Sequence, residues 1–310
     1  MKILTVVNWL DLFQLTLQAE SLSKFWTGKK RWTIVIEDPM LEIQQLSLEW
    51  CKNNINIPGW DIDFIVPNCS NLYCGWIRQQ QHKLYYTSIA DEDWVLILDA
   101  KNFLIKPTNK SFFIKGNTLI YLPAFRSDEF FKKTNVGASD LLNMHDAIPD
   151  SASMTPWVFN KKEVAELIKV ANITLENWPM PTDATEFTLY WRWVYHKFNW
   201  EPKTFVSGFW SHEFSTDLSN LPVNLNEMKD SIIKTEDMCF WTHHRYSMST
   251  KTRQLTMALM QEIGLDSNVV LHWNHLFQKM LDNKNATRHQ EFLKNRAGDD
   301  PGFNKKWYNT

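Results

Sequence analysis

Short apolar runs alternate with helical periodicity through roughly the first 125 residues of the chain. Runs rich in β-branched and aromatic residues predict strands at Ile3–Val7, Trp32–Glu37, Asp61–Val66, Trp94–Leu98 and Thr118–Leu122. Apolar positions three and four residues apart predict helices between them, at Leu12–Phe25, Met40–Asn53 and Gly75–Ala90. Strands and helices that alternate with short connections are typical of a parallel sheet covered on both faces. The first half of the chain therefore predicts an α/β fold.

The pattern changes near residue 126, beyond which helical periodicity dominates. It predicts helices at Asp128–His145, Lys161–Ala171, Thr185–Lys197 and Leu255–Gly264, with short strands near Trp157–Phe159 and Met238–Thr242. A helical pair at Asn268–Leu281 and Thr287–Asn295 is followed by a polar tail. We expect one domain over residues 1–250 and a C-terminal helical extension, or appendage, over residues 251–310.

Glycine is scarce, with 9 glycines in 310 residues, less than half the usual share of about 7%. Neither a G-x-G-x-x-G fingerprint nor a P-loop occurs, and both need glycine for close approach of the backbone to phosphate. Any nucleotide must therefore be held by side chains or by a metal.

Charge, cysteine content and hydropathy exclude several further classes of protein. A net charge of -2 gives no basic field for nucleic acid, so we expect no nucleic-acid partner. The four cysteines form no C-x-x-C pair, which sets aside zinc ribbons and disulfide scaffolds. The N-terminus lacks the pattern of a signal peptide, and no run of 18 apolar residues predicts a transmembrane segment. We expect a cytoplasmic protein.

Asp99 is the first candidate for chemistry. It follows the apolar run Trp94–Leu98, which predicts a buried central strand. Doubly wound sheets bind ligands at the carboxyl ends of their strands, so this carboxylate is placed to hold a metal or a ribose hydroxyl. A turn-starting aspartate is an equally good interpretation.

The helix predicted from Gly75 carries the second group of candidates. Gln79 and Lys83 are four residues apart and present an amide and an ammonium on one face. Gln80 shares a face with Ile77 and Leu84, where a buried amide needs partners. Taken alone, a polar helix face explains this pattern more simply than a binding site does.

Two later segments add an acid and a basic cluster. Glu186 lies in the first turn of its predicted helix, where the helix dipole favours it, and it is either structural or an acid or base in a cleft. His243, His244 and Arg245 follow a short strand. A histidine there would suit a metal shared with Asp99, and Arg245 would suit a diphosphate. A solvated strand end is the alternative.

Together these segments resemble GT-A glycosyltransferases, especially a poorly characterised bacterial and phage group. The resemblance covers residues 1–250 and rests on motifs in the family's order: a G-W-x-x-Q-Q-x-x-K-L helix (Gly75–Leu84), a hydrophobic strand ending in Leu-Asp (Val95–Asp99), a following Lys106-Pro107, and the segments Thr155–Phe159 and Thr185–Tyr190.

The resemblance implies a GT-A-like (Rossmann-like) fold with a mixed, mostly parallel sheet flanked by helices. It also implies a nucleotide-sugar donor and an unknown carbohydrate or other acceptor. Asp99 would ligate Mn²⁺ or Mg²⁺ or contact the donor ribose, and Glu186 would act near the acceptor, as a base in an inverting enzyme or as a binding group in a retaining one. The remaining implied residues are the donor and diphosphate contacts Gln79, Gln80, Lys83, Lys101 and Arg245, and the further metal ligands Asn102, His243 and His244.

One departure from the family pattern bears on the metal. Lys101 stands where the second aspartate of the family's D-x-D turn belongs. Three outcomes are open: Asn102 supplies an oxygen, Lys101 replaces the charge of the metal at the diphosphate, or activity is lost. The second is the most economical.

The expected function is a hexosyltransferase-type glycosyltransferase, and a non-catalytic nucleotide- or carbohydrate-binding protein on the same scaffold is the alternative. A nucleotidyltransferase is less well supported, because no glycine-rich loop follows the first strand.

Overall fold

The computed structural model describes residues 1–38, 41–68, 75–116, 118–119, 129–146, 155–178, 183–198, 240–242 and 250–284. The elements up to the fourth strand are β1 (Lys2–Val7), α1 (Gln14–Phe25), β2 (Arg31–Ile36), α2 (Leu41–Asn54), β3 (Asp61–Ile65), α3 (Gly75–Ser88) and β4 (Trp94–Asp99). A 3₁₀ turn at Trp9–Asp11 joins β1 to α1, and the Asn8 side chain caps it by accepting a hydrogen bond from the Leu10 amide. Each of these strands begins and ends within one residue of its predicted bounds.

Five strands form the main sheet, in the order β3-β2-β1-β4-β8, in which β8 comprises Trp157–Asn160. The first four run parallel, and β8 pairs antiparallel with β4 at the edge. β1, β2 and β4 are buried along almost their whole length, as expected for apolar strands covered on both faces. This confirms the predicted α/β fold with a mixed, mostly parallel, Rossmann-like sheet flanked by helices.

The other described elements after β4 are mostly helical: β5 (Asn102–Leu104), α4 (Lys110–Phe113), β6 (Ile114–Lys115), β7 (Thr118–Leu119), α5 (Glu129–Leu142), α6 (Lys161–Val170), α7 (Glu186–Phe198), β9 (Phe240–Thr242), α8 (Thr250–Glu262) and α9 (Ser267–Lys284). β5 was not predicted. It pairs antiparallel with β9, with Asn102 opposite Thr242, so the end of β9 lies beside the turn that follows Asp99.

The last helix that the structure describes, α9, packs against α1. The Trp273 indole donates a hydrogen bond to Gln14 Oε1 at 2.7 Å, and the Phe13 and Phe277 rings meet edge to face at 5.9 Å between centroids. The helix predicted at Thr287–Asn295 lies outside the described residues. That residues 251–310 form a separate extension stays a prediction. Within the described part of the chain, every helix is too short or too polar to cross a membrane.

Candidate functional site

Asp99 lies at the topological switch point of the sheet. The chain adds β2 and β3 on one side of β1 and then returns to place β4 on the other side. Asp99 is the last residue of β4 and is opposite Val6 of β1 in the parallel register. Open α/β sheets bind ligands in the crevice that forms at this point, outside the carboxyl ends of the strands. The side chain is 21% exposed, so solvent reaches it at this edge of the sheet.

Both oxygens of Asp99 face lysine ammonium groups. Lys83 Nζ of α3 lies 2.9 Å from Oδ1, and Lys101 Nζ lies 3.8 Å from Oδ2. The Lys83 side chain is 3% exposed, whereas that of Lys101 is 30% exposed. The first contact is a buried hydrogen-bonded ion pair, and the second is a loose ion pair at the surface.

Glu186 completes a buried cluster with Lys83 and Asp99. Its Oε1 atom lies 3.0 Å from Lys83 Nζ, although the two residues are 103 positions apart in the sequence. Gln80, one turn before Lys83, accepts a hydrogen bond from the Glu186 backbone amide at 3.1 Å. A side chain on α3 thus holds the first residue of α7 by satisfying one of the amides that a helix start leaves without a partner.

Burial and the neighbouring charges set the protonation of this cluster. Burial alone would raise the pKa of Asp99, but Lys83 and Lys101 lower it to about 2. Burial would lower the pKa of Lys83, yet the two carboxylates raise it above its ordinary value. For Glu186 burial is the dominant cause, and its pKa is raised despite Lys83. The cluster therefore holds one firmly ionised carboxylate, one firmly protonated lysine and one carboxyl group that takes up a proton more readily than usual.

A buried hydrogen-bond chain fixes the turn after Asp99. Gln18 of α1 donates from Nε2 to the carbonyl oxygens of Asp99 at 2.9 Å and Asn102 at 2.8 Å. Its Oε1 accepts a hydrogen bond from the Thr5 hydroxyl, which accepts one from the Trp32 indole. Asn102 is fully buried, and its Oδ1 accepts the Asp99 amide at 2.7 Å. In this arrangement Asn102 closes the turn.

The structure brings together some of the predicted site residues and gives others different contacts. Asp99, Lys83, Lys101 and Glu186 meet in one cluster, and Gln80 supports it. Gln79 instead donates to the Val6 carbonyl of β1 at 3.3 Å. His243, His244 and Arg245 lie outside the described residues. Their contacts with a metal or a diphosphate stay predictions.

A second buried ion pair, which the sequence pattern did not predict, lies at the same edge of the sheet. Arg78 of α3 pairs with Glu37 Oε1 at 2.7 Å, with side chains 3% and 6% exposed. Glu37 directly follows β2, just as Asp99 ends β4. The available signal was therefore the same: a carboxylate at the carboxyl end of an apolar strand.

The described residues around Asp99 do not fit a divalent cation. Mg²⁺ and Mn²⁺ prefer oxygen ligands, but both Asp99 oxygens face ammonium groups and the Asn102 oxygen accepts a backbone amide. Nowhere among the residues described do three or more His, Cys, Asp or Glu side chains gather in a group that could hold a metal. A metal role for Asp99, Asn102, His243 or His244 stays a prediction.

His82, beside Lys83 on α3, should make the protein less stable in mild acid. Burial, with a contribution from the Arg78 charge, lowers its pKa from 6.5 to about 3. Between those values the unfolded chain binds a proton that the folded chain refuses, so the free energy of unfolding falls by about 1.4 kcal/mol per pH unit as the pH drops below 6.5. Urea titrations at pH 7 and pH 5 measure this, and His82→Gln should remove that part of the slope. An unchanged slope in the variant would contradict the assignment.

Comparison with known proteins gives the family and several solved structures to which the chain is similar. A family model described as a family of unknown function (DUF6492) matches residues 10–254. No curated protein matches the chain. Among solved structures, the chain is similar to the apo bifunctional glycosyltransferase WbbM, with 11% identity over 88% of this chain and 51% of that chain and a TM-score of 0.46.

It is also similar to apo GlyE, a glycosyltransferase of Streptococcus pneumoniae, with 15% identity over 90% of this chain and 64% of that chain and a TM-score of 0.40. The galactosyltransferase LgtC gives 10% identity over 85% of this chain and 96% of that chain, with a TM-score of 0.42. The chain thus spans about half of WbbM and less than two thirds of GlyE. Because the family model covers most of the sequence, the chain belongs to the family of unknown function DUF6492.

Proposed function

We propose that this protein is a glycosyltransferase of the GT-A type that moves a sugar from a nucleotide-sugar donor to an unknown acceptor. The observation that carries the proposal is the cluster of Lys83, Asp99 and Glu186 at the switch point of the sheet. Three elements, α3, β4 and α7, each contribute one of these residues. They also belong to three of the segments in which the sequence resembles the GT-A family.

Lys83 is the residue that sets the geometry of the two carboxylates. Its ammonium lies 2.9 Å from Asp99 Oδ1 and 3.0 Å from Glu186 Oε1, so both carboxyl groups are held at fixed positions relative to α3. The Phe187 ring lies 4.9 Å from Lys83 Nζ and adds a cation–π contact. Fixed positions of this kind favour catalysis because the reacting groups need little rearrangement.

The two carboxyl groups have different protonation and so suit different roles. Asp99, with its lowered pKa, stays ionised and carries a constant negative charge. Glu186, with its raised pKa, is better matched to proton transfer near neutral pH. Since Glu186 Oε1 is hydrogen-bonded to Lys83, we assign Oε2 to accept the proton of the acceptor hydroxyl in an inverting reaction, or to bind that hydroxyl in a retaining one. Asp99 pairs with Lys101, the partly exposed lysine that would face the donor.

Transfer and hydrolysis assays with nucleotide sugars test this assignment. We expect Asp99→Ala and Glu186→Gln to lower turnover at least tenfold, since a positioned general base alone contributes about a hundredfold or more. Glu163→Gln is the matched control, because Glu163 is a buried glutamate on α6 that pairs with Lys197. Equal turnover in wild type, Asp99→Ala and Glu186→Gln would rule out the site.

The second candidate is a non-catalytic nucleotide- or carbohydrate-binding protein. The observation that favours it is Lys101, which stands beside Asp99 where the family's second acidic residue belongs. A thermal-shift screen of UDP-, GDP-, CMP- and dTDP-sugars, with and without Mn²⁺, separates the two functions when it is combined with a product assay. Stabilisation without product formation would favour binding alone. A cytoplasmic location is a further part of the proposal, and it rests on the sequence.

A further inference from the structure

The two lysines that face Asp99 differ in how firmly they are held. Lys83 is buried and makes hydrogen-bonded contacts to two carboxylates at 2.9 and 3.0 Å. Lys101 is 30% exposed, and its nitrogen is 3.8 Å from Asp99 Oδ2, a distance too long for a hydrogen bond. Lys83 is therefore committed to the interior of the cluster, whereas the three N–H donors of Lys101 can turn to a ligand without breaking a hydrogen bond to Asp99.

Among the described residues beside Asp99, the oxygens that a metal could use are largely engaged. Glu186 is 4% exposed and binds Lys83, and the fully buried Asn102 accepts the Asp99 amide. A divalent cation at Asp99 would lie within a few ångströms of two ammonium groups, and like charges at such distances repel strongly at the reduced dielectric of a protein site. The positive charge beside Asp99 that could neutralise a diphosphate is therefore that of a lysine ammonium group.

We propose that the site binds the diphosphate of its nucleotide donor without a divalent cation, with the Lys101 ammonium as the ligand and Asp99 as the residue that positions it. This inference rests on the proposed function and specifies how the same site holds its substrate. Lys83 binds Asp99 Oδ1 and so fixes the carboxylate, which leaves Oδ2 as a fixed negative charge at the surface of the site. The attraction of Oδ2 for Lys101 keeps that ammonium at the carboxyl edge of the sheet, where the anion would enter.

Binding of inorganic pyrophosphate and of UDP, GDP, CDP and dTDP tests the inference by isothermal titration calorimetry. Each ligand is titrated in EDTA and again as its Mn²⁺ complex. Wild type should bind at least one nucleoside diphosphate, and pyrophosphate, with affinities within about twofold in the two buffers. Lys101→Met should weaken binding at least tenfold, in keeping with about 1.5–3 kcal/mol for a hydrogen bond to a charged group.

Two further variants make the test specific. Lys30→Met removes the same charge from an exposed lysine before β2, at the opposite edge of the sheet, and should bind as wild type does. Lys101→Asp creates an Asp-x-Asp turn at positions 99 and 101. It should bind pyrophosphate more weakly than Lys101→Met in EDTA and recover at least tenfold as the Mn²⁺ complex. Circular dichroism confirms that each variant is folded.

The outcomes separate this inference from the proposed function. If wild type binds no nucleoside diphosphate in either buffer, the proposed function fails. If wild type binds at least tenfold more tightly with Mn²⁺, or if Lys101→Met binds as wild type does, the metal-free site is overturned while the proposed function stands. If Mn²⁺ does not tighten the binding of pyrophosphate to Lys101→Asp, residue 101 does not stand where a metal-binding carboxylate would be needed. The inference that Lys101 replaces the metal is then overturned.

Discussion

Replacing Lys83 with methionine should lower the free energy of unfolding by about 3–5 kcal/mol, the cost of leaving a buried carboxylate without its partner. Lys83 contacts Asp99 and Glu186, and Glu186 is almost fully buried. Methionine fills a similar volume but supplies no charge. The loss in free energy of unfolding therefore comes from the missing ion pair and not from a cavity. Urea unfolding at pH 7, followed by far-ultraviolet circular dichroism, measures it.

Two comparison variants show whether the ion pair is the cause. Lys101→Met removes a partly exposed lysine from the same aspartate and should cost about 1 kcal/mol or less. In the double variant Lys83→Met/Glu186→Gln, no buried glutamate is left charged and without a partner. The loss in free energy of unfolding should therefore be smaller than the sum of the two single losses. A loss below about 1 kcal/mol for Lys83→Met would contradict a structural ion pair at this site.

Strands β1, β2 and β4 of the main sheet were predictable because each consists mainly of apolar residues. β1, β2 and β4 are buried on both faces, and burial of this kind requires the Val-, Ile- and Leu-rich sequences that were recognised. β5 was not predictable by the same means. It has three residues, and its partner β9 is more than 130 residues away in the sequence. Neither length nor periodicity gives a signal for such a pair.

The candidate site was predictable as separate residues but not as a cluster. The local sequence pattern indicates Asp99, Lys83 and Glu186 as candidate site residues, each from its position within a strand or helix. That Lys83 bridges the two carboxylates depends on how α3 packs against β1 and α7, which no local pattern records. The same limit applies to Gln79, which was expected beside Lys83 and instead binds the Val6 carbonyl.

Gln18 was not anticipated because its sequence neighbourhood is that of an ordinary amphipathic helix. It lies on the buried face of α1 together with Gln14 and Ser21, at a spacing that apolar residues normally occupy. Each of these polar side chains has a partner in another element. Gln18 donates to the turn after Asp99, Gln14 accepts from the Trp273 indole, and Ser21 accepts from the Leu104 amide. A polar residue at a core position is thus the signal by which such supports can be recognised.

The Arg78–Glu37 pair gives the second large expected effect. Arg78→Met should lower the free energy of unfolding by about 3–5 kcal/mol, because the Glu37 carboxylate at the end of β2 would lose the guanidinium that neutralises it in a buried environment. Urea unfolding at pH 7 measures the loss. Arg31→Met is the matched control: Arg31 lies at the amino end of β2 and pairs with the exposed Asp61 and Asp91, so about 1 kcal/mol or less is expected.

A double-mutant cycle with Glu37→Gln decides whether the two side chains act as a pair. Each single change leaves one buried partner unsatisfied, whereas the double variant leaves neither charge uncompensated. We therefore expect a coupling free energy of about 1–3 kcal/mol, with the double variant more stable than the sum of the single losses predicts. Additive losses would mean that Arg78 stabilises α3 through contacts other than Glu37. A coupled pair would instead show that a buried ion pair holds the carboxyl end of β2 to α3, the helix whose Lys83 pairs with Asp99 at the end of β4. One helix would then position the carboxyl ends of both strands beside the proposed donor site.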